Sequence, residues 1–378
     1  MIALREKIAQ GIREQGPIPF SRYMELCLYD PELGYYSRNA EQFGKAGDFY
    51  TSSDVHAVFG RLMARQFDQM WRLLGSPEQI KIKELGPGRA LFAQDALDWS
   101  EKKFPDFFRA LRYTLVEHSP ALRQRIESNL KSRLESGKAE LFSDDADHLP
   151  AAGPVIVFAN EFFDALPVEI VSERGSLRIN AHGSDPIATK FDETWVPASA
   201  EESEFLDRYS VHPENGERLE VQLQAQKMLE SAVNFDRGFL IAIDYGYTRA
   251  EQLAGRHRGT LKAIRQHAVS ASPYEAPGEQ DITADVNFTA LAAAAEKKGL
   301  RAEKLVTQSQ FLMGIGEANQ FADAFEDCRM PQERAKVALQ LKHLVTPAGM
   351  GESFHVLVAS NGMEAEKARA LVGLNFGK

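Results

Sequence analysis

Two acidic side chains and an amide follow an apolar stretch of the sequence. Asn160, Glu161 and Asp164 come after residues 155–159, which are typical of a strand buried in a parallel sheet. Glu161 and Asp164 are three positions apart, so on a helical turn they share a side. Two carboxylates facing one cleft repel each other unless a cation lies between them, and a guanidinium can fork onto carboxylates. These three are the candidate catalytic residues; the alternative is a helix cap with two solvated acids.

A glycine turn follows an earlier strand at residues 80–85. Glu84 lies near the end of that strand, and Gly86, Pro87 and Gly88 come next, before a helix that starts near residue 90. Glycines let a ligand approach the backbone, and the first N–H groups of the helix point to the same place. A carboxylate at position 84 would repel a pyrophosphate but can attract the amino group or the sulfonium of S-adenosylmethionine. We therefore predict that these four residues bind S-adenosylmethionine; the alternative is a plain turn.

A further acid closes the second strand of the pattern. Glu117 follows residues 113–116, and a carboxylate at that place accepts hydrogen bonds from ribose hydroxyls in nucleoside-binding α/β sheets. A surface acid at a strand end is the alternative. An NAD site is disfavoured, because the third glycine of its motif is missing and Glu117 lies 31 positions after Gly86 instead of about twenty.

Weaker candidates come from four other places in the chain. Asp144, beside Asp145 after the third strand, could bind the adenine amino group, or it could lie in a solvated loop. The loop with Thr51 and Ser52 could fold over the amino-acid end of the cofactor, or it could only cap a helix. The remaining candidates, for contact with the substrate, are Asp244 and Tyr245 at the end of the fifth strand and the isolated His267.

Strand and helix patterns alternate from residue 79 onward, which predicts an α/β fold with a doubly wound, mostly parallel, seven-stranded sheet of Rossmann-like type. Closing strands are expected at residues 302–306 and 354–359. The predicted organisation is an N-terminal helical region with a cofactor-covering loop (1–78), the first half of the sheet (79–167), an inserted cap (168–236), and the second half of the sheet (237–378) with a loop insertion at 247–283.

Composition excludes several classes of function. The net charge of −10 argues against a general nucleic-acid binder, which needs a basic face. The two cysteines, Cys27 and Cys328, are too far apart in the sequence for a thiolate metal motif, and no metal site is expected. No apolar run is long enough to predict a membrane span. The first residues mix acids and bases without a presequence pattern, which favours a cytoplasmic location.

In combination, six motifs in this order closely resemble the MidA-like class I methyltransferase family. The motifs are Asp48-Phe49-x-Thr51-Ser52, Glu84-Leu85-Gly86-Pro87-Gly88-Arg89, Val116-Glu117-x-Ser119-Pro120, the block from Ala159 to Pro167, Ile243-Asp244-Tyr245-Gly246, and the block from Asp281 to Phe288. The resemblance runs from about residue 16 to about residue 359. Ala90, His118 and Ser53-Asp54 depart from the family pattern.

The resemblance implies an S-adenosylmethionine site at Gly86, Gly88, Glu117 and the Thr51–Ser52 loop. It also implies methylation of a protein, with an arginine guanidinium favoured, since a mitochondrial branch of the family methylates an arginine of a respiratory-complex subunit. Alternatives are a methyltransferase for a small molecule or another side chain, and a non-catalytic assembly protein that retains the fold.

Overall fold

The computed structural model describes residues 4–37, 57–143, 153–183, 190–265, 268–270 and 272–377. The helices in these ranges are α1 (Leu4–Gln15), α2 (Phe20–Tyr29), α3 (Ala57–Leu73), α4 (Leu91–Lys103), α5 (Pro105–Ala110), α6 (Pro120–Asn129), α7 (Lys131–Glu135), α8 (Ala200–Tyr209), α9 (Leu223–Ala232), α10 (Arg249–Leu253), α11 (Phe288–Lys297), α12 (Gln308–Glu317), α13 (Ala322–Phe325), α14 (Pro331–Val345) and α15 (Ala365–Arg369). Single 3₁₀ turns lie at Tyr35–Ser37 and Val372–Leu374.

The strands in the same ranges form three sheets. They are β1 (Ile18–Pro19), β2 (Ile80–Leu85), β3 (Leu111–Val116), β4 (Ala139–Phe142), β5 (Val155–Asn160), β6 (Glu169–Ser172), β7 (Gly175–His182), β8 (Lys190–Val196), β9 (Leu219–Val221), β10 (Gly238–Tyr247), β11 (Lys262–Arg265), β12 (Ala268–Val269), β13 (Asp281–Thr283), β14 (Val286–Asn287), β15 (Arg301–Ala302), β16 (Val306–Thr307) and β17 (Phe354–Asn361).

The central sheet has the order β15-β17-β10-β5-β2-β3-β4. The five strands from β10 to β4 are parallel, and β17 pairs antiparallel with β10. This arrangement confirms the predicted doubly wound, mostly parallel sheet. One predicted strand is different: residues 303–305 separate β15 from β16, and the two short strands each pair with β17. In addition, β14 pairs in parallel with the end of β10.

Alternating side chains of the central strands enter two separate cores, as a doubly wound sheet requires. On β10, Phe239, Ile241 and Ile243 pack into the core formed with α3, α4 and α12. Leu240 and Ala242 point to the other face and pack with α9 and α11. Helix α9 therefore packs on the central sheet, although it lies within the range 168–236 that the sequence marks as inserted.

The inserted strands form a second sheet with an N-terminal strand. Its order is β1-β7-β6-β9, with β8 beside β7. Apolar residues of α1 and α2, such as Ile8 and Phe20, pack against Ile170 and Ile179 of this sheet. The third sheet, β12-β11-β13, joins the same core through Ala263 and Ile282. Within the described ranges, no helix has both the length and the apolarity that crossing a bilayer requires.

Candidate active site

A cavity of about 1540 Å³ lies at the carboxyl ends of the parallel strands, where ligands bind in open α/β sheets. The structure brings nine of the predicted site residues together in its lining: Glu84, Gly86, Pro87, Gly88, Glu117, Asn160, Glu161, Asp164 and Tyr245. The predicted contacts Thr51, Ser52, Asp144 and His267 lie outside the described residues.

The glycine turn has a left-handed backbone. Gly86 and Gly88 have φ values of 60° and 55°, and Ala90 follows with 57°. A Cβ atom at Gly86 would lie 2.6 Å from Cδ2 of Phe162. Position 86 therefore needs glycine because a side chain of the same protein packs against it, a reason that adds to the ligand approach expected from the sequence. Ala90 is the N-cap of α4 and offers that helix no side-chain acceptor.

Two buried carboxylates flank this turn, and burial raises the pKa of both. The pKa of Glu84 rises to about 8, although a hydrogen bond from Tyr113 Oη at 2.9 Å opposes the rise. The pKa of Glu117 rises to about 7, against the hydrogen bond that the backbone N–H of Ser119 donates to Oε1 at 2.8 Å. Buried carboxylates that line a cavity can accept hydrogen bonds from hydroxyl or ammonium groups of a ligand.

Asn160 is the last residue of β5, and its amide is only partly satisfied. Nδ2 donates to Glu161 Oε1 at 3.1 Å, while Oδ1 is buried and has no hydrogen-bond partner in the part of the chain that the structure describes. Glu161 has a φ of 51°, so the chain leaves β5 through a left-handed residue. Residues 161–164 form no helix, and the predicted helical turn that would align Glu161 with Asp164 is wrong.

Asp244 explains this conformation. Its carboxylate is fully buried, and Oδ2 accepts the backbone N–H groups of Phe162, Phe163 and Asp164 at 3.1, 3.0 and 3.3 Å. Oδ1 accepts the N–H of Tyr245 at 3.0 Å. Asp244 therefore positions the turn at residues 161–164 from inside β10, and it does not line the cavity. This corrects its prediction as a substrate contact at a strand end.

Asp164 is a buried acidic side chain in the lining of the cavity. It is 8% exposed, and Oδ2 accepts the hydroxyls of Tyr245 and Thr283, the latter at 2.8 Å. Burial raises its pKa, and the two hydroxyls oppose that rise. Oδ1 is buried too and receives no hydrogen bond from any described residue. One oxygen is thus held in place, while the other has no hydrogen-bond donor among the described residues.

Sequence reasoning missed four residues of this region: Tyr29, Tyr36, Asp281 and Thr283, all of which line the cavity. The aromatic rings of Tyr29 and Tyr36 are stacked, with centroids 5.6 Å apart. Asp281 and Thr283 belong to a sequence block used only for the resemblance. The sequence did contain a signal for these two residues. The alternation Asp281-Ile282-Thr283 is typical of a short strand, and it places both polar side chains on the same face.

The polar groups at one end of the cavity fit a ribose and an amino-acid group. Glu117 offers acceptors for hydroxyls, Asn160 Oδ1 is a buried acceptor without a partner in the described ranges, and Glu84 faces the same space. The left-handed turn at Gly86 and Gly88 brings backbone into the wall instead of side chains. These residues could therefore hold a nucleoside that carries a cationic substituent.

Comparisons with known proteins agree with this chemistry. A family model described as S-adenosyl-L-methionine-dependent methyltransferase matches residues 62–306. The Drosophila melanogaster relative, a mitochondrial protein arginine methyltransferase NDUFAF7 homolog, is 28% identical and aligns with 96% of this chain and 86% of its own length. The human protein arginine methyltransferase NDUFAF7, also named mitochondrial, is 26% identical, with coverages of 91% and 80%.

A solved structure is similar over nearly the whole chain. The COG1565 superfamily member from Burkholderia thailandensis, crystallised with S-adenosyl-homocysteine, has a TM-score of 0.80 and 28% identity, and the match covers 97% of this chain and 94% of that one. S-adenosylmethionine as cofactor and methyl transfer as activity are confirmed, while a cytoplasmic location stays a prediction. Because the family model covers well over half of the sequence, the chain belongs to the MidA-like family of S-adenosylmethionine-dependent methyltransferases.

Proposed function

We propose that this methyltransferase transfers a methyl group to the guanidinium of an arginine in a protein. The observation that carries the proposal is the buried carboxylate of Asp164, whose Oδ1 has no partner among the described residues and whose Oδ2 is fixed by Tyr245 and Thr283. An anion buried in this way is costly unless a cation reaches it. The curated relatives are named protein arginine methyltransferases, which supports a guanidinium as that cation.

The cofactor would lie across the ends of β2 and β3. Glu117 would accept hydrogen bonds from the ribose hydroxyls, and Glu84 would face the cationic part of the ligand. The backbone of Gly86, Pro87 and Gly88 would form the wall, and Thr51, Ser52 and Asp144 stay predicted contacts. When bound, S-adenosylmethionine supplies an electrophilic methyl group on its sulfonium, so the protein mainly has to position the acceptor.

The acceptor would be held by Asp164, with Asn160 and Glu161 on the cofactor side of it. Asp164 Oδ1 would accept an N–H of the guanidinium and orient one nitrogen toward the methyl group. An arginine remains protonated at neutral pH, so a proton must leave as the new N–C bond forms. Asp164 is suited to take that proton, because burial has already raised its pKa.

The test combines labelling with one conservative substitution. Purified protein is incubated with methyl-labelled S-adenosylmethionine and a cell lysate, and the labelled protein is hydrolysed to identify the modified amino acid. We expect methylarginine. Asp164→Asn keeps the side-chain volume but removes the charge, so labelling should fall by about 100-fold or more while cofactor affinity, measured by calorimetry, is kept. Glu352→Gln, an exposed carboxylate in the same cavity lining, is the control and should label normally.

Other outcomes decide between the alternatives. Label in another amino acid or in a small molecule would contradict arginine as acceptor. Full cellular function in Asp164→Asn would indicate an assembly role without catalysis. A respiratory-complex subunit, which the family resemblance implies, stays a prediction that identification of the labelled protein would test.

A further inference from the structure

We propose that Asp281, Tyr36 and Tyr29 form a second wall of the acceptor pocket, which binds the side of the cation that faces away from Asp164 and selects a planar guanidinium over a compact ammonium. This inference rests on the proposed function and names its specificity residues. It assigns to Asp281 the role of second carboxylate that sequence reasoning gave to Glu161.

The contacts that define this wall form a closed ring. Thr283 Oγ1 donates to Asp164 Oδ2 at 2.8 Å, and Asp281 lies two residues before Thr283 on β13. Tyr36 Oη donates to Asp281 Oδ1 at 3.0 Å, and Tyr36 is stacked on Tyr29.

The last contact of the ring lies beside Asp164, where the ring begins. Tyr29 Oη donates to the carbonyl oxygen of Ala165 at 2.9 Å, and Ala165 directly follows Asp164 in the chain. All six residues of the ring line the same cavity: Tyr29, Tyr36, Asp164, Ala165, Asp281 and Thr283. The ring therefore lines one part of that cavity, here called the compartment, with a carboxylate at two of its points.

The two carboxylates face the same compartment. Alternate residues of a strand point to one face, so Asp281 projects on the side on which Thr283 meets Asp164. Electrostatics agrees with this placement: burial raises the pKa of Tyr29 and of Tyr36, and the nearby charges of Asp164 and Asp281 raise both further. Both acids thus act on the same two tyrosines, and a shared cation would offset the cost of burying two negative charges in one region.

The shape of the compartment favours a guanidinium. Asp281 lies roughly 6.5 Å along the strand from Thr283, the residue that binds Asp164, so the two carboxylates approach a ligand from separate positions. A guanidinium presents five N–H groups on several edges, so it can reach two separated acceptors at once. Its flat face also packs on aromatic rings, and the stacked tyrosines supply such a surface at the edge of the compartment.

The test uses three ligands, each long enough to reach from the proposed nucleoside site near Glu117 to the proposed acceptor pocket near Asp164. Each carries 5′-deoxyadenosine joined by a short alkyl chain to a guanidine, a primary amine or a neutral urea, and calorimetry gives each dissociation constant. For the unaltered protein, we expect the guanidine ligand to bind about tenfold or more tightly than the urea and the amine. Asp281→Asn should reduce the guanidine-to-urea preference to about threefold or less and leave the urea affinity unchanged.

Two further variants complete the set. Tyr36→Phe keeps the stacked ring but removes the hydroxyl that holds Asp281, so the preference should fall partly. Glu366→Gln, which changes an exposed carboxylate outside the cavity lining, should keep the full preference. An undiminished preference in Asp281→Asn and Tyr36→Phe would overturn the inference and leave the proposed function intact. Equal binding of guanidine and urea by the unaltered protein would overturn both, since no cation site would then exist.

Discussion

At the scale of single residues, the site is built from carboxylates whose environment sets their protonation. Glu84 and Glu117 have similar chemistry, but Glu84 receives a tyrosine hydroxyl and Glu117 a backbone N–H. Burial shifts the pKa of both close to the physiological range, to about 8 and about 7. Ligand binding at this end of the cavity should therefore depend on pH near neutrality.

The ionisation of Glu117 provides a test at this scale. Ribose hydroxyls donate more strongly to an ionised carboxylate, so a nucleoside should bind better as the pH rises through about 7. The ligand of choice is 5′-methylthioadenosine, because it has the ribose but lacks the amino-acid group that titrates in the same range. We expect its affinity, measured by calorimetry, to increase about tenfold from pH 6 to pH 8.

Two substitutions distinguish the ionisation of Glu117 from that of Glu84, the other buried carboxylate beside the glycine turn. Glu117→Gln should bind this ligand weakly and with little dependence on pH, because no carboxylate then ionises under the ribose. Glu84→Gln should retain the dependence. A constant affinity for the unaltered protein between pH 6 and pH 8 would show that Glu117 does not contact the ribose.

At the scale of elements, the turn at residues 161–164 is held by three separate strands. It leaves β5 at Asn160, Asp244 of β10 binds its backbone N–H groups, and the carbonyl oxygen of Asp164 accepts the N–H of Ala284, just after β13, at 3.1 Å. The sequence could predict that β5 and β10 end near each other, because both are continuous apolar runs. It could not predict that Asp244 points into the protein, since nothing local distinguishes a carboxylate that binds backbone from one that binds substrate.

The contact between Phe162 and Gly86 gives a prediction for the packing of this turn on the glycine loop. Gly86→Ala introduces a Cβ 2.6 Å from the Phe162 ring and also places alanine at a φ of 60°. We expect the free energy of unfolding to fall by about 2–3 kcal/mol, with about 1 kcal/mol from the backbone and the rest from the clash. Urea denaturation measures this loss.

A matched glycine and a double-mutant cycle separate these two causes. Gly137 has a φ of 68°, and no atom lies within 4 Å of the position that a Cβ would take there, so Gly137→Ala should lose only the backbone part, about 1 kcal/mol. Combining Gly86→Ala with Phe162→Ala should restore the part that is due to the clash. Equal losses in Gly86→Ala and Gly137→Ala would refute the role of Phe162 and leave the ligand as the reason for glycine.

At the scale of the whole molecule, the cavity is formed where parts that are distant in the sequence meet. The glycine turn, Glu117 and Asn160 belong to the central sheet, and their positions follow from alternating strands and helices, which is why sequence reasoning found them. Tyr29 contacts Ala165 across 136 positions, and Tyr36 contacts Asp281 across 245. Such pairings depend on how the N-terminal helices pack on the inserted sheet, and no local pattern encodes that packing.

Burial of acids in this cavity also affects the stability of the whole protein. An unfolded glutamate has a pKa of about 4.3, whereas the folded values of Glu84 and Glu117 are about 8 and about 7. Between the unfolded and folded values, the folded state binds more protons than the unfolded state, so stability falls as the pH rises. Carboxylates with a lowered pKa, such as Asp30 and Glu101, stabilise the protein above their unfolded pKa and lose that contribution only as the pH falls below it, so they add no slope near neutrality.

The cofactor-free protein should therefore lose stability between pH 7 and pH 8. One proton held only by the folded state changes the free energy of unfolding by about 1.4 kcal/mol per pH unit, and we expect a fall of about 1–2 kcal/mol per unit near pH 7. Urea denaturation at several pH values measures it. Glu84→Gln keeps an acceptor for the Tyr113 hydroxyl but cannot ionise, so most of this slope should disappear. A stability that is constant or rises with pH would mean that the carboxylates of Glu84 and Glu117 are well solvated in the cavity. A bound cation would then not be needed to offset the cost of their burial.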